Sequence, residues 1–137
     1  MQHKKDEIEF FSKFGKNGYD VFNEKDYEKI LIFFEKLIQP QKGEKVIEFG
    51  CGTGTFTKYL RKYELEITEI DISDKCIEYA KRNYTNINFL VGDIENTEFP
   101  DGTFDIVFLG AVLHHFNNFF KCAKEVYRVL KPSIAGM

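Results

Sequence analysis

Residues Glu48-Phe49-Gly50-Cys51-Gly52-Thr53-Gly54 combine a carboxylate with three closely spaced glycines. Apolar Val46 and Ile47 precede them, and a helix-like segment over 55–63 follows. A strand, a glycine-rich turn and a helix in that order place a nucleotide-like ligand at the mouth of a parallel sheet. Glycine lets the backbone bend sharply and approach a ligand with no side chain between them. The N–H groups at the start of the following helix are expected to meet polar atoms of that ligand.

The spacing bears on which ligand. In the dinucleotide fingerprint, G-x-G-x-x-G, the last glycine falls one position later than here, where residue 55 is Thr. A carboxylate at Glu48 would repel a pyrophosphate, whereas it suits a ligand that carries an ammonium and a sulfonium. The loop therefore points away from NAD and towards S-adenosylmethionine. Two further acids fall where such a ligand needs them. Asp71 ends a second apolar run, roughly twenty residues past the first glycine, where a carboxylate accepts from both ribose hydroxyls. Asp93, in Val91-Gly92-Asp93-Ile94, follows a third run and can accept from an adenine amino group while the Ile94 amide donates to a ring nitrogen. The bland alternatives are a helix-entry residue for Asp71 and a turn residue for Asp93.

These residues need a frame. Hydrophobic periodicity predicts a short helix over 7–14 and a stronger one over 25–38, with Tyr27, Ile30, Leu31, Phe34 and Leu37–Ile38 inward and Pro40 and Gly43 as the stop. Strands are predicted at 45–49, 66–70, 87–91 and 104–109. Helices are predicted at 55–63, at 74–83 with Ser73 as N-cap, and at 118–130 with Phe119, Cys122, Val126, Val129 and Leu130 inward. Strand and helix alternate from residue 45 onward. That order implies an α/β fold, a doubly wound Rossmann-like parallel sheet with helices on both faces. Residues 1–44 are expected to form an N-terminal helical cap and 45–137 the ligand-binding domain.

At 137 residues, 43% of them hydrophobic, the chain suits a single domain with a real core. A net charge of −3 and scattered lysines give no nucleic-acid footprint. Three separated cysteines, Cys51, Cys76 and Cys122, with no C-x-x-C, argue against zinc and disulfides and for the reducing cytoplasm. No run approaches a membrane span, and the polar N-terminus lacks a signal core.

With those residues in place, 46–132 resembles a class I S-adenosylmethionine-dependent methyltransferase of the small-molecule type. The likeness lies in 46–54, in Glu69-Ile70-Asp71-Ile72-Ser73, in Gly92-Asp93, in Phe104-Asp105-Ile106-Val107 leading to Val112-Leu113-His114-His115-Phe116, and in 125–132. The resemblance implies methyl transfer from S-adenosylmethionine to a small acceptor, leaving S-adenosylhomocysteine. By it, Glu48, Gly50, Cys51 and Gly52 face the methionine part. Asp71, with Ile72 beside it, holds the ribose, and Asp93 with Ile94 holds the adenine. Leu109 ends the fourth strand opposite the methyl donor, and Tyr19 closes over the cofactor. An acceptor that must lose a proton wants a base. His115 is the candidate, set against a purely structural role for the His114–His115 pair, and no metal set is present. Residues 110–113 lack the Asn/Asp-Pro-Pro-aromatic clamp used on bases and amide nitrogens, which again disfavours nucleic acid.

The likeness has limits. After Lys131-Pro132 the family continues with Gly-Gly, a fifth strand and a hairpin, whereas this chain reads Ser133-Ile134-Ala135-Gly136-Met137. The family's C-terminal strands are expected to be missing. The outer edge of strand 104–109 is then expected to pair with a second copy, capture a partner or be covered by the last helix. Two further readings stay open: a cofactor-binding remnant or regulatory subunit without turnover, and, disfavoured by Glu48 and Gly54-Thr55, a dinucleotide-dependent oxidoreductase.

Overall fold

The computed structural model describes residues 24–52, 54, 56–109 and 118–132. Helix α1 spans Glu24–Ile38 and leads into β1, Lys45–Phe49. The short α2, Thr57–Leu60, runs on as a tighter turn through Arg61–Tyr63. Then follow β2 (Glu66–Asp71), α3 (Asp74–Asn83), β3 (Asn88–Val91), β4 (Ile106–Phe108) and α4 (Phe120–Val129). The strands form one parallel sheet in the order β3-β2-β1-β4. All four therefore end on the same edge, and the loops that follow them meet there.

Register decides which residues share a face. Val46 pairs with Ile67 and Ile106, and Glu48 with Glu69 and Phe108. Side chains alternate along a strand, so these residues lie on one face and Ile47, Phe49, Ile70 and Val107 on the other. The first face packs against α1 and α2 through Tyr27, Leu31, Phe34, Phe56 and Leu60, and against α3 through Ile77 and Ala80. The second packs on Cys122 and Val129 of α4. Helices thus cover both faces, as the alternation predicts, and β1 is buried along all but its first residue.

Some boundaries move for local reasons. Helix α1 stops at Ile38 because Gln39 takes a left-handed conformation (φ 50°), ahead of both Pro40 and Gly43. Leu37 and Ile38, expected inward, are exposed. Helix α3 matches its prediction, and the Ser73 hydroxyl accepts from the Cys76 amide at 3.2 Å. Phe119 sits at the N-cap of α4 and is partly exposed instead of inward. The fourth strand is shorter than 104–109. Phe104 instead forms an isolated parallel bridge with Leu130, its amide donating to the Val129 carbonyl and its carbonyl accepting from the Lys131 amide. The segment just past α4 thereby covers the start of β4's outer edge. The helix expected over 7–14 lies outside the described residues.

A network ties α4 to the loop that follows Asp93. The Thr97 amide and hydroxyl both donate to Glu125 Oε2. Arg128 bonds both Glu125 oxygens, the Phe99 and Thr97 carbonyls and Asp101. The Arg128 guanidinium holds the Glu125 carboxyl down at about 2.

Candidate cofactor site

The bend after β1 is built from positive φ values at Gly50 (77°), Gly52 (56°) and Gly54 (84°). The roles of Gly52 and Gly54 differ. A Cβ on Gly52 would meet nothing within 4 Å, so this residue borders open space. A Cβ on Gly54 would crowd Tyr84 Cε2 at 3.3 Å, with Ala80 Cβ and Thr57 Oγ1 at 3.4 Å. Gly54 is therefore a packing glycine that lets the loop lie against α3.

Among the described residues of the loop, the amides of Gly50, Cys51, Gly52 and Gly54 are spent within the protein. Gly50 and Cys51 donate to the Ile70 carbonyl at 2.8 and 3.1 Å, and Gly54 donates to the Cys51 carbonyl at 3.0 Å. Gly52 donates to Asp71 Oδ2 at 2.8 Å. Helix α2 begins at Thr57, later than expected, and its Thr57 amide already donates to the Gly54 carbonyl. Helix α2 is four residues long, and no side chain caps its start.

What the site holds in surplus is carboxylate oxygen. Asp71, only 6% exposed, accepts Gly52 N on Oδ2 and Ser73 N on Oδ1 at 2.9 Å. A carboxylate has about four acceptor sites, and with the Ile72 amide also drawing on Asp71 some capacity remains for a hydroxyl donor. Burial raises its carboxyl above the ordinary value, against the pull of the Ser73, Gly52 and Ile72 amides. Glu48, 4% exposed, has no hydrogen-bond donor on Oε1, and burial pushes its carboxyl up to about 7. Directly across the register lies Glu69, wholly buried, which sequence reasoning placed only as a strand residue. Its Oε1 accepts from the Thr57 hydroxyl at 2.8 Å, Oε2 has no donor, and burial together with Glu48 raises its carboxyl strongly.

The other predicted residues fall into two groups. Asp93 lies one residue past Gly92, whose amide donates to the Asp71 carbonyl at 2.9 Å. The two acidic tips are thus joined through adjacent strand ends, and Asp93 Oδ1 accepts from the Glu95 amide at 2.9 Å. Ile72 is half-buried next to Asp71. The side chains of Cys51 and Ile94 are buried and that of Leu109 partly so: Cys51 packs with Ile77, Ala80 and Phe89, and Ile94 and Leu109 with the α4 face. Tyr19 and His115 lie outside the described residues. Among the described residues no cluster of His, Cys, Asp or Glu could hold a metal ion.

Among the described residues the buried acceptors of Glu48 and Asp71 suit a cationic, hydroxyl-bearing ligand, and comparison with known proteins gives the family. A family model described as a methyltransferase domain matches residues 47–133. The chain belongs to the methyltransferase domain family. Among curated relatives, malonyl-[acyl-carrier protein] O-methyltransferase of Pectobacterium atrosepticum is 30% identical over 96 residues, covering 70% of this chain and 38% of the relative. Demethylmenaquinone methyltransferase of Staphylococcus epidermidis is 34% identical over 98 residues, covering 67% and 41%. The chain thus spans about two-fifths of the length of these methyltransferases. A solved SAM-dependent methyltransferase from Aquifex aeolicus superposes with a TM-score of 0.72 at 26% identity, covering 88% of this chain and 68% of that one. The fold is that of class I methyltransferases.

Proposed function

We propose that this chain binds S-adenosylmethionine at the strand-end edge of the sheet and serves methyl transfer to a small-molecule acceptor. The observation that carries the reading is the site's polarity. The Gly50, Cys51, Gly52 and Gly54 amides are consumed internally, while Glu48 and Asp71 retain buried acceptor capacity. A pyrophosphate needs donors, whereas an ammonium and ribose hydroxyls need acceptors. Glu48 and the bend at Gly50–Gly52 would hold the methionine part, Asp71 beside Ile72 the ribose, and Asp93 with the Ile94 amide the adenine. The backbone at Leu109 would border the transfer point, with Tyr19 as a cover. When bound, the cofactor supplies an activated methyl group on a good leaving group. The chain's own task is then to orient the cofactor and exclude water.

His115 is the side chain we propose as base for an acceptor that must lose a proton. Unchanged transfer by His115→Ala at every pH would remove that role. Three buried free thiols, Cys51, Cys76 and Cys122, favour a cytoplasmic setting. No helix among the described residues is long and apolar enough to cross a membrane. Pairing of β4 with a second copy would be limited to the part of the strand beyond Phe104. Incubation with methyl-labelled S-adenosylmethionine and a metabolite extract tests the activity. Label in a small molecule supports it, and binding without label transfer supports a cofactor-binding subunit.

A further inference from the structure

Glu48 and Glu69 are paired residues on adjacent parallel strands, and both project onto the α2 side of the sheet. Both are at least nine-tenths buried. Among the described residues no cation neutralises either one. The titratable neighbours are acids as well: Asp71 of β2 and the Cys51 thiol in the loop. From α2 comes only the Thr57 hydroxyl, which fixes Glu69 by donating to Oε1. From β4 comes Phe108, and from α1 the ring of Tyr27 stacked on Phe56 and Tyr59.

The two carboxyls are register neighbours on strands about 4.8 Å apart, close enough to share a hydrogen bond. Such a contact is attractive only when one of them is protonated. Two full charges at this distance in a dry interior are mutually excluded, as in other paired carboxyls. The oxygens with no other donor, Glu48 Oε1 and Glu69 Oε2, are the ones left for a shared proton.

We propose that Glu69 is a positioning residue that tunes the cofactor site: with Glu48 it holds one proton in the free protein and yields it to solvent when a positively charged cofactor binds. The inference rests on the reading that Glu48 faces the methionine part of S-adenosylmethionine. The arriving cationic group replaces the proton as the counter-charge of the pair, so no oxidant, reductant or second substrate is involved. Thr57 keeps Glu69 in place throughout, and binding becomes sensitive to the charge of the ligand as well as its shape. Burial pushes both carboxyls upward, which sets the exchange near neutral pH.

Calorimetric titration in buffers of different ionisation enthalpy counts the protons. At pH 6.5 the wild-type protein is expected to release about one proton on binding S-adenosylmethionine and none on binding 5′-methylthioadenosine, which lacks both cationic groups. Its affinity for S-adenosylmethionine should rise about fivefold or more from pH 6 to pH 7. Glu69→Gln keeps an acceptor for Thr57 and gives Glu48 a permanent donor, so it should bind without proton release and with a flat pH profile. Tight wild-type binding with no proton release would overturn the inference and leave the cofactor reading intact. Proton release that survives in Glu69→Gln would also overturn it. Absence of any S-adenosylmethionine binding would overturn both. The wild-type measurement decides by itself should the variant not fold.

Discussion

The backbone N–H of Gly52 donates to Asp71 Oδ2 at 2.8 Å, so the acid that ends β2 holds the bend that follows β1. One side chain therefore shapes the loop and keeps some acceptor capacity for a ligand. Stability of the bend and affinity of the site are coupled through it.

Asp71→Asn separates the two. An amide offers one acceptor where the carboxylate offers two, so either the Gly52 or the Ser73 amide must face an NH2 group. The expected cost is about 1–3 kcal/mol of stability, together with at least a tenfold loss of S-adenosylmethionine affinity. Urea unfolding and calorimetry on the same material check both.

The glycines should divide in the same experiments. Gly54→Ala places a methyl against Tyr84, Ala80 and Thr57 in a left-handed backbone, and should cost about 2 kcal/mol or more. Gly52→Ala meets no protein atom and should cost only about 1 kcal/mol, yet it should weaken cofactor binding because its methyl enters the ligand's space. Equal losses of stability would contradict the division.

Stability should fall as pH rises towards neutrality. Glu48 and Glu69 have folded-state values raised above those of an unfolded chain, so the native state binds more protons between about pH 4.5 and pH 7. Their contribution is complete below the unfolded value and is lost as pH climbs through the folded one, at up to about 1.4 kcal/mol per pH unit per proton. Glu69→Gln should flatten this limb and be the more stable protein at pH 8. Denaturant midpoints across pH 5–8 read the slope.

Glu125 acts in the opposite sense. Its carboxyl is held low, so its stabilisation is present above the unfolded value and is lost as pH falls towards 2. Arg128→Met leaves Glu125 buried with only Thr97 for a partner. It should cost about 3 kcal/mol at pH 7 and shrink the acid-induced loss between pH 4.5 and pH 2. Thermal scans at the two ends of that window measure both effects.

Much of this was legible because local signals agreed. Ser73 before an amphipathic stretch marks α3 to the residue, and 45–49 and 66–70 read as the first two strands. The Glu48–Glu69 pair was not legible, because it exists only through the β1–β2 register, which no single strand encodes. A hint was present: each glutamate interrupts an otherwise buried run. The outward turn of Leu37 and Ile38 was hidden for a similar reason. Helical period marks an apolar stripe, but the length of the sheet beneath decides how much of that stripe is covered. The pattern around Cys51, Ile94 and Leu109 does not encode their burial, which comes from packing against Ile77, Ala80 and Phe89 or against the α4 face.

The account turns on a site that offers acceptors in place of donors, and parallel calorimetric titrations with S-adenosylmethionine and NADH test this most directly. Saturable binding of S-adenosylmethionine, abolished by Asp71→Ala and absent for NADH, is the predicted result. Binding of NADH, or of neither compound by folded protein, would contradict it.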